Sequence, residues 1–389
     1  MAKEEKKAPK LRFNGYTNDW EQQELGAVVE FYSGLTYKPE NVVQNGTLVI
    51  RSSNIHNNQY INADNVYVKN NIVNSEYVQE QDIIVVVRNG SRNLIGKHAL
   101  LKSIPHDPSV IGAFMTGIRS LNNQFIEAVL NTEKFKREIN KNLGATINQI
   151  TTSQFKKMKF NFPKREEDKQ IGILFNYLDD TIQLHERKCE ELALIKQALL
   201  QKLFPKKDEV IPEVRYKSFS AAWEQRKLGE TSKITAGGDV DKEKLLTHGK
   251  YPVIANALTN DGIVGYYNDA YRITAPAVTV TGRGEIGKAK SRKINFTPVV
   301  RLLSVESKHN VDFLAEAINR SKVVFESTGV PQLTVPKLSN YKISFPVSEN
   351  EETKIGDFIQ QFDSLIALHQ RKLEKLKQLK KFLLQNMFI

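Results

Sequence analysis

Phosphate chemistry is suggested first by residues 282–288 (GRGEIGK), which have the spacing G-x-x-x-x-G-K and follow a β-branched run. A phosphate-binding loop of that kind needs a hydroxyl next to the lysine for Mg²⁺ and a helix that begins there. Ala289 follows the lysine instead, and the charged residues 290–293 show no helical pattern. Residues 90–97, at the corresponding place in the first half of the chain, have a different spacing. The motif therefore predicts a structural turn rather than a nucleotide site.

Other signatures of catalysis are weak. Residues 186–188 (ERK) resemble the Glu-x-Lys of a metal nuclease, but they lie in a predicted long helix whose second copy has Gln370 in place of the glutamate. The sequence has no Asn/Asp-Pro-Pro-aromatic motif for amino methyl transfer, and its seven histidines show no metal-ligand spacing. Its single cysteine, Cys189, can form no internal disulfide. We expect a binding protein that is not an enzyme and that holds no metal or cofactor of its own.

Arginine and asparagine side chains in predicted turns are the residues best suited to a ligand. Residues 87–93 (VRNGSRN) place them after a strand in the first half, and residues 254–268 and 281–284 do so in the second. Arginine can pair bidentately with guanine and asparagine with adenine, while lysine and backbone amides hold phosphates. The predicted DNA-binding residues are Arg51, Arg88, Asn89, Ser91, Arg92, Asn256, Thr259, Asn260, Tyr266, Tyr267 and Arg283. The alternative is that the Asn-Gly and Thr-Gly pairs here only form turns.

The charge of the chain favours a polyanionic partner. Fifty-six lysine and arginine residues against 44 carboxylates give a formal net charge of +12, which favours nucleic acid over an anionic membrane. No apolar run approaches the ~18 residues that a membrane span needs, and residues 1–10 lack the apolar core of a signal peptide. Lys102, Lys290, Arg292 and Lys293 are expected to contact phosphate or only solvent. We expect a cytoplasmic protein with no membrane partner.

Two long helices must position these turns, because the chain contains one helical pattern twice. Residues 171–204 align without a gap with residues 355–388, and 15 of the 34 pairs are identical. Apolar residues recur in each copy at alternating steps of four and three, which predicts a coiled-coil helix. The predicted seam is Ile171, Phe175, Leu178, Ile182, Leu192, Leu199, Ile355, Ile359, Phe362, Ile366, Leu376 and Leu383. Each apolar stripe needs a partner, and the other copy supplies one.

Polar residues interrupt this seam at the same two places in each copy, His185 and Lys196 in the first and His369 and Lys380 in the second. A polar seam residue costs stability but can fix register, and the alternative is a locally solvated seam. Residues 371–381 carry six basic residues and one acidic residue. They could be a solvated flank, or a face for the DNA backbone or a protein partner.

The repeat extends into the rest of the chain. A Trp-Glu-Gln-x-x-Leu-Gly segment starts at Trp20 and again at Trp223, and the Phe-Pro pair at Phe162 returns at Phe345. Each copy therefore has a leading segment, a globular part, a Phe-Pro pair and a long helix. The predicted segments are residues 1–19 (N-terminal tail and leading segment), 20–164 (first globular domain), 165–205 (central helix), 206–222 (linker and leading segment), 223–349 (second globular domain) and 350–389 (C-terminal helix).

The globular parts mix strands and helices. Residues 47–55, 82–88 and 277–281 are β-branched runs that predict buried strands, whereas residues 125–143 and 313–327 have helical periodicity. The predicted fold class is mixed α/β (α+β). Two similar globular domains are joined by two long helices in an intramolecular antiparallel coiled coil, which makes a pseudo-two-fold tandem repeat.

This order of elements resembles the specificity subunit of type I restriction-modification enzymes. The resemblance covers nearly the whole chain and rests on the two Trp-Glu-Gln-x-x-Leu-Gly segments, the two Phe-Pro pairs and the twin helices. In addition, residues 251–288 are similar to one common class of target recognition domain. The order and duplication of these motifs are specific, although no single motif is decisive.

The resemblance implies a function without catalysis by this chain. Two target recognition domains, residues 20–164 and 223–349, would each bind one half of a bipartite site in double-stranded DNA. The coiled coil would set the spacer and bind two methyltransferase subunits, which bring S-adenosylmethionine and modify adenine. Two restriction subunits would bring ATP and Mg²⁺ for translocation and cleavage.

Three alternatives belong to other classes. A coiled-coil protein-interaction scaffold predicts a near-neutral surface, against which the charge of +12 argues. A stand-alone DNA-binding regulator is the second alternative. A stand-alone nuclease or methylase would need a catalytic motif, and we find none in the sequence.

Overall fold

The computed structural model describes residues 8–104, 106, 108–143, 148–257, 259–321 and 331–389. The chain forms two compact units. Unit 1 comprises residues 1–185 and 371–389, and unit 2 comprises residues 186–370. Each unit therefore contains one globular part and portions of both long helices.

Among its described residues, the globular part of unit 1 is built from short strands, four short α-helices and short 3₁₀ turns. Its strands are β1 (Glu21–Glu24), β2 (Glu30–Ser33), β3 (Val42–Val43), β4 (Thr47–Ile50), β5 (Ile55–His56), β6 (Gln59–Tyr60), β7 (Val66–Val68), β8 (Ile83–Val86), β9 (His98–Leu100), β10 (Ser109–Ile111), β11 (Met115–Arg119) and β12 (Lys159–Phe162). Its helices are α1 (Leu25–Val28), α2 (Asn123–Leu130), α3 (Glu133–Asn142) and α4 (Thr152–Lys156), and the long helix α5 (Arg165–Leu203) follows.

Unit 2 repeats this arrangement with fewer elements among its described residues. Its strands are β13 (Glu224–Lys227), β14 (Ser232–Ala236), β15 (Tyr251–Ile254), β16 (Ile263–Tyr267), β17 (Ala277–Thr281), β18 (Ala289–Arg292), β19 (Thr297–Pro298), β20 (Leu302–Ser307) and β21 (Lys342–Phe345). Its short helices are α6 (Leu228–Thr231), α7 (Val311–Arg320) and α8 (Val335–Ser339). The long helix α9 (Glu349–Asn386) begins in unit 2 and ends in unit 1.

Among the described residues, three sheets of unit 1 have a counterpart in unit 2, and the small sheet β5-β6 of unit 1 has none. The antiparallel sheet β2-β11-β8-β9 of unit 1 matches β14-β20-β17-β18 of unit 2, and β1-β12 matches β13-β21. A second sheet contains a parallel pair in each unit, β4 with β10 and β15 with β19. The sequence-predicted strand at residues 47–55 ends early, at Ile50, because the Asn54 side chain accepts a hydrogen bond from the Arg51 amide at 2.9 Å and closes a turn.

The predicted helical run at residues 125–143 is two helices. Thr132 caps the second, since its hydroxyl accepts a hydrogen bond from the amide of Phe135. In unit 2 the run predicted at residues 313–327 begins as α7, which ends at Arg320, and residues 322–327 lie outside the described residues.

A buried carboxylate at the start of each long helix explains the repeated tryptophan. Glu167 accepts two hydrogen bonds from the Arg12 guanidinium, at 2.6 and 2.7 Å, and one from the Trp20 indole at 3.2 Å. Glu351 is bound in the same way by Arg215 and by the Trp223 indole, at 3.4 Å. These repeat-related contacts fix each leading segment to the first turn of its helix.

Close packing explains why each long helix has a glycine in its repeated Ile-Gly pair. Gly172 faces the first residues of α2, where an added Cβ would lie 2.8 Å from the Phe125 amide. Gly356 faces Asn310, which caps α7, and a Cβ there would lie 2.1 Å from the amide oxygen of that side chain. Glycine lets the helix approach the globular core.

The long helices pair in opposite directions within each unit. In unit 1 the beginning of α5 packs with the end of α9, since Ile171, Phe175 and Leu178 share a core with Leu383 and Met387. In unit 2 the end of α5 packs with the beginning of α9 through Leu200, Leu203, Ile355 and Ile359. Of the predicted seam, Ile171, Phe175, Leu178, Ile182, Ile355, Ile359 and Leu383 are buried, and Leu192, Leu199, Phe362, Ile366 and Leu376 are half-buried. The predicted fold class is confirmed.

Candidate nucleic-acid interface

Arg88 lies at the surface of unit 1, two residues after the end of the buried strand β8. Its guanidinium carbon is 5.1 Å from the centroid of the Phe114 ring, and its backbone amide donates to the Phe114 carbonyl at 3.2 Å. The Phe114 side chain is 53% exposed. A cation–π contact of this kind holds a guanidinium in place without consuming its hydrogen-bond donors. Arg88 is therefore oriented and still able to pair with a base edge.

Asn89 ties the same turn to the loop after β4. Its side-chain amide donates to the Ser52 hydroxyl at 3.2 Å, and its carbonyl oxygen accepts from the Ser91 amide at 3.0 Å. Asn148 donates to the carbonyl of Gly90 at 3.0 Å and closes the other side. The contacts of Asn89 agree with the turn-forming alternative for this residue.

The remaining candidates of unit 1 border this turn. Ser91 and Arg92 are exposed. Arg51 is half-buried, donates to the carbonyl of Asp64 and precedes Ser52, which brings it beside Asn89. The Arg51 Nε is buried and has no hydrogen-bond partner among the described residues. Unit 1 therefore gathers all five of its predicted residues around one surface.

In unit 2, Asn256 joins the loop after β15 to the turn that carries Arg283. Its carbonyl oxygen accepts from the Gly282 amide at 2.8 Å, and its amide donates to the Val300 carbonyl at 3.2 Å. The Arg283 Nε is buried and unpaired among the residues that the structure describes. Asn256 thus has a structural role that resembles that of Asn89.

The turn that carries Arg283 connects two strands. Residues 282–288 join β17 to β18, with Gly284 and Gly287 at positive φ. These glycines also fit the dinucleotide spacing G-x-G-x-x-G, which, like the phosphate-binding loop, requires a helix to follow. Because β18 follows instead, the turn is structural.

Thr259 and Asn260 are exposed in a neighbouring turn, Thr259–Gly262. Asp261 in that turn forms ion pairs with Lys290 and, at 3.2 Å, with Arg292. Burial favours a raised pKa for Asp261, but the hydrogen bond from Lys290 and the charge of Arg292 outweigh it and lower the pKa. The turn is therefore anchored to β18 by charge.

Ion pairs within the chain change the expectation that four cations contact phosphate or only solvent. Lys290 and Arg292 bind Asp261, Lys293 lies 2.7 Å from Asp312, and Lys102 pairs with Asp180. Each of the four therefore has a carboxylate partner, rather than contacting solvent alone.

Tyr266 and Tyr267 lie away from Asn256. They belong to β16, where Tyr266 is opposite Pro252, near the beginning of β15, whereas Asn256 follows the end of that strand. The Tyr267 hydroxyl donates to the Asp241 carbonyl at 3.1 Å. The structure does not bring these tyrosines to the surface formed around Asn256 and Arg283.

Sequence reasoning missed two residues of these surfaces. Phe114 and Arg301 occupy corresponding positions, because backbone bridges join Leu35 with Gly112 in unit 1 and Gly238 with Val299 in unit 2. Arg301 has φ of 74° and donates to the Gln332 side chain at 3.3 Å. An exposed aromatic residue between two buried β-branched runs was the only available signal for Phe114.

No described helix is long and apolar enough to cross a bilayer. Within the same residues, no group of three or more histidine, cysteine, aspartate or glutamate side chains is placed to hold a metal ion.

Similarity to known proteins bears on these surfaces. A family model described as the type I restriction modification DNA specificity domain matches residues 17–194 and again 221–378. A candidate type I specificity subunit of Mycoplasma pneumoniae is 31% identical over 126 residues, which are 31% of this chain and 34% of that protein. The EcoKI specificity subunit of Escherichia coli is 27% identical over 194 residues, 46% of this chain and 41% of that protein. The alignments thus span well under half of these relatives.

A solved structure shares the fold along nearly the entire chain. The crystal structure of the S subunit of a type I restriction-modification system from M. genitalium superposes with a TM-score of 0.74 at 16% identity, covering 98% of this chain and 99% of that one. Because the family model matches most of the sequence, twice, this chain belongs to the type I restriction-modification DNA specificity family.

Proposed function

We propose that this chain is a DNA sequence-specificity subunit of a type I restriction-modification complex and that it catalyses no reaction itself. The observation that carries the proposal is the surface that recurs in both units. An arginine-bearing turn follows the buried strand β8 or β17, and an asparagine joins it to the loop after β4 or β15. The net charge of +12 suits the same partner.

Each unit would bind one half of a bipartite site. The framework is repeated but its side chains differ, since Phe114 beside Arg88 in unit 1 is replaced by Arg301 in unit 2. Two units with the same backbone framework but different side chains at the surface would recognise two half-sites of different sequence. In this proposal residues 20–164 and 223–349 are the two target recognition domains.

The paired helices would set the unread spacer and bind two methyltransferase subunits. With 39 and 38 residues, α5 and α9 are each about 57 Å long at 1.5 Å per residue. Residues 165–205 and 350–389 would thus form the spacer element, with residues 206–222 as linker. The methyltransferase subunits would bring S-adenosylmethionine, and two restriction subunits would bring ATP and Mg²⁺.

A segment exchange tests the assignment of half-sites. Residues 251–288 are replaced by the matching segment of a related chain, and adenine methylation is mapped in cells that also express a methyltransferase subunit. We expect one half of the methylated motif to change while the other half and the spacer stay the same. A change in both halves would contradict the assignment of one half to each unit.

A further inference from the structure

Unit 1 contains two adjacent cavities, which share only Arg92 with the residues predicted for the candidate interface. The first, of about 490 Å³, lies between Arg92, Lys97 and helix α3. The second, of about 580 Å³, lies between α3 and the last turns of α9. Asn131 and Lys136 line both cavities, so the two adjoin.

The lining of these cavities is strongly positive. It includes eight lysine and arginine side chains, and Glu133 is the only acidic side chain among the described lining residues, which also include Ile389. The pKa of Glu133 is lowered by a hydrogen bond from Lys136 and further by the charges of Lys381 and Arg137. Cations of α3 and of α9 therefore lie close enough to stabilise the same negative charge.

Several of these cations are not neutralised. Arg92, Arg137 and Lys381 are exposed, and within the described part of the chain their side chains form no hydrogen bond or ion pair. By contrast, Lys380 is paired with Asp179 at 2.5 Å. Unpaired, exposed cations on several neighbouring elements repel one another, which destabilises the folded state. A bound polyanion removes this repulsion.

The cavities lead away from the candidate base-reading turn. The Lys97 ammonium donates to the Ser52 carbonyl at 3.3 Å, and the Ser52 hydroxyl accepts from Asn89. Arg92 begins a short 3₁₀ turn directly after Ser91. The positive lining thus starts beside Arg88 and Asn89 and ends at α9.

The coiled coil does not require these charges. At the offset of 184 residues, α5 has Ala193 and Gln197 where α9 has Lys377 and Lys381. Since α5 maintains the same helix pattern with alanine and glutamine at these two positions, pairing of the helices does not explain why α9 has lysines there. They are a feature of unit 1.

We propose that this basic track, Arg92, Lys97, Lys136, Arg137, Lys377 and Lys381, binds the phosphate backbone of the DNA duplex that continues from the half-site read by unit 1. The proposal rests on the proposed function and adds to it a partner surface. Lysine and arginine hold phosphates without regard to sequence, so the track contributes affinity and orientation but no base preference.

The test is the salt dependence of DNA binding by the full chain. Fluorescence anisotropy with a labelled duplex of about 30 base pairs compares R137Q/K381Q with the natural chain. The control K372Q/K375Q removes the same charge from exposed positions of α9 in unit 1 that line neither cavity. We expect the slope of log K against log salt to fall by about two in R137Q/K381Q and to stay unchanged in the control.

The outcomes separate the track from the proposed function. Salt-dependent DNA binding by the natural chain with an unaltered slope in R137Q/K381Q would overturn the track and leave the specificity function standing. A flat salt response of the natural chain would overturn both. If R137Q/K381Q kept the slope but lost a co-expressed methyltransferase subunit, the surface would belong to a protein partner and the phosphate assignment would be wrong.

Discussion

The Lys380 ammonium lies 2.5 Å from the Asp179 carboxylate, and both side chains are largely buried between α9 and α5 in unit 1. In the repeat, Asp363 corresponds to Asp179 and Lys196 corresponds to Lys380. The Lys196 ammonium and the Asp363 carboxylate lie 2.6 Å apart in unit 2. The lysines that interrupt the apolar seam therefore each have a carboxylate partner on the opposite helix. An ion pair at equivalent points of both units specifies one antiparallel register.

Reversing one charge of this pair should destabilise unit 1. D179K places two ammonium groups together, and we expect a loss of about 1–2 kcal/mol, which D179K/K380D should largely restore. The matched change D363K should cost less, because Asp363 is 57% exposed and Asp179 only 29%. Urea unfolding measures the free energies. Equal losses of unfolding free energy in D179K and D363K would contradict the idea that burial of the carboxylate sets the size of the effect.

Cutting the linker should leave the fragments associated. A protease site inserted between Lys207 and Asp208 lies in an exposed segment. Each unit contains helix from both fragments, since Met387 packs in the core of unit 1 and Leu203 and Phe204 pack in the core of unit 2. We expect both fragments to co-elute in gel filtration after cleavage and to separate only in denaturant. Separation in native buffer would contradict the exchange of helix ends.

Glu127 provides a pH-dependent prediction. Burial raises the pKa of this carboxyl, and the charges of His98 and Lys380 only partly oppose the shift. A folded-state pKa above the unfolded value means that stability is highest below the unfolded pKa, about 4.3, and falls as pH rises. E127Q should therefore raise the melting temperature more at pH values above this unfolded pKa than at pH values below it. A gain independent of pH would contradict ionisation as the cause.

Phe114 should act on base preference through Arg88. F114A removes the ring beneath the guanidinium, so we expect relaxed preference in one half-site with little change in non-specific affinity, and R88A should lose about 1–3 kcal/mol of discrimination. L121A is the control, because Leu121 is an 87% exposed apolar residue of unit 1 away from this turn. Binding to a randomised duplex library gives the preferences. Identical preferences in F114A and the natural chain would exclude a positioning role.

The sequence predicts the fold better than the candidate site. Duplication and the spacing of Ile171, Phe175 and Leu178 reveal the paired helices, because periodicity reports burial directly. The break at Thr132 depends on one capping hydroxyl, which a helical run does not reveal. Residue type alone could not show that Arg292 is bound to Asp261 or that Tyr266 lies far from Asn256, since these relations arise from strand pairing.

If this chain specifies a bipartite DNA site, it should direct a methyltransferase subunit to that site. Long-read methylation mapping of DNA from cells that express both proteins tests this. We expect one new adenine-methylated motif of two defined halves separated by a gap of fixed length. A soluble complex that binds DNA but produces no motif, or a single uninterrupted motif, would contradict this expectation.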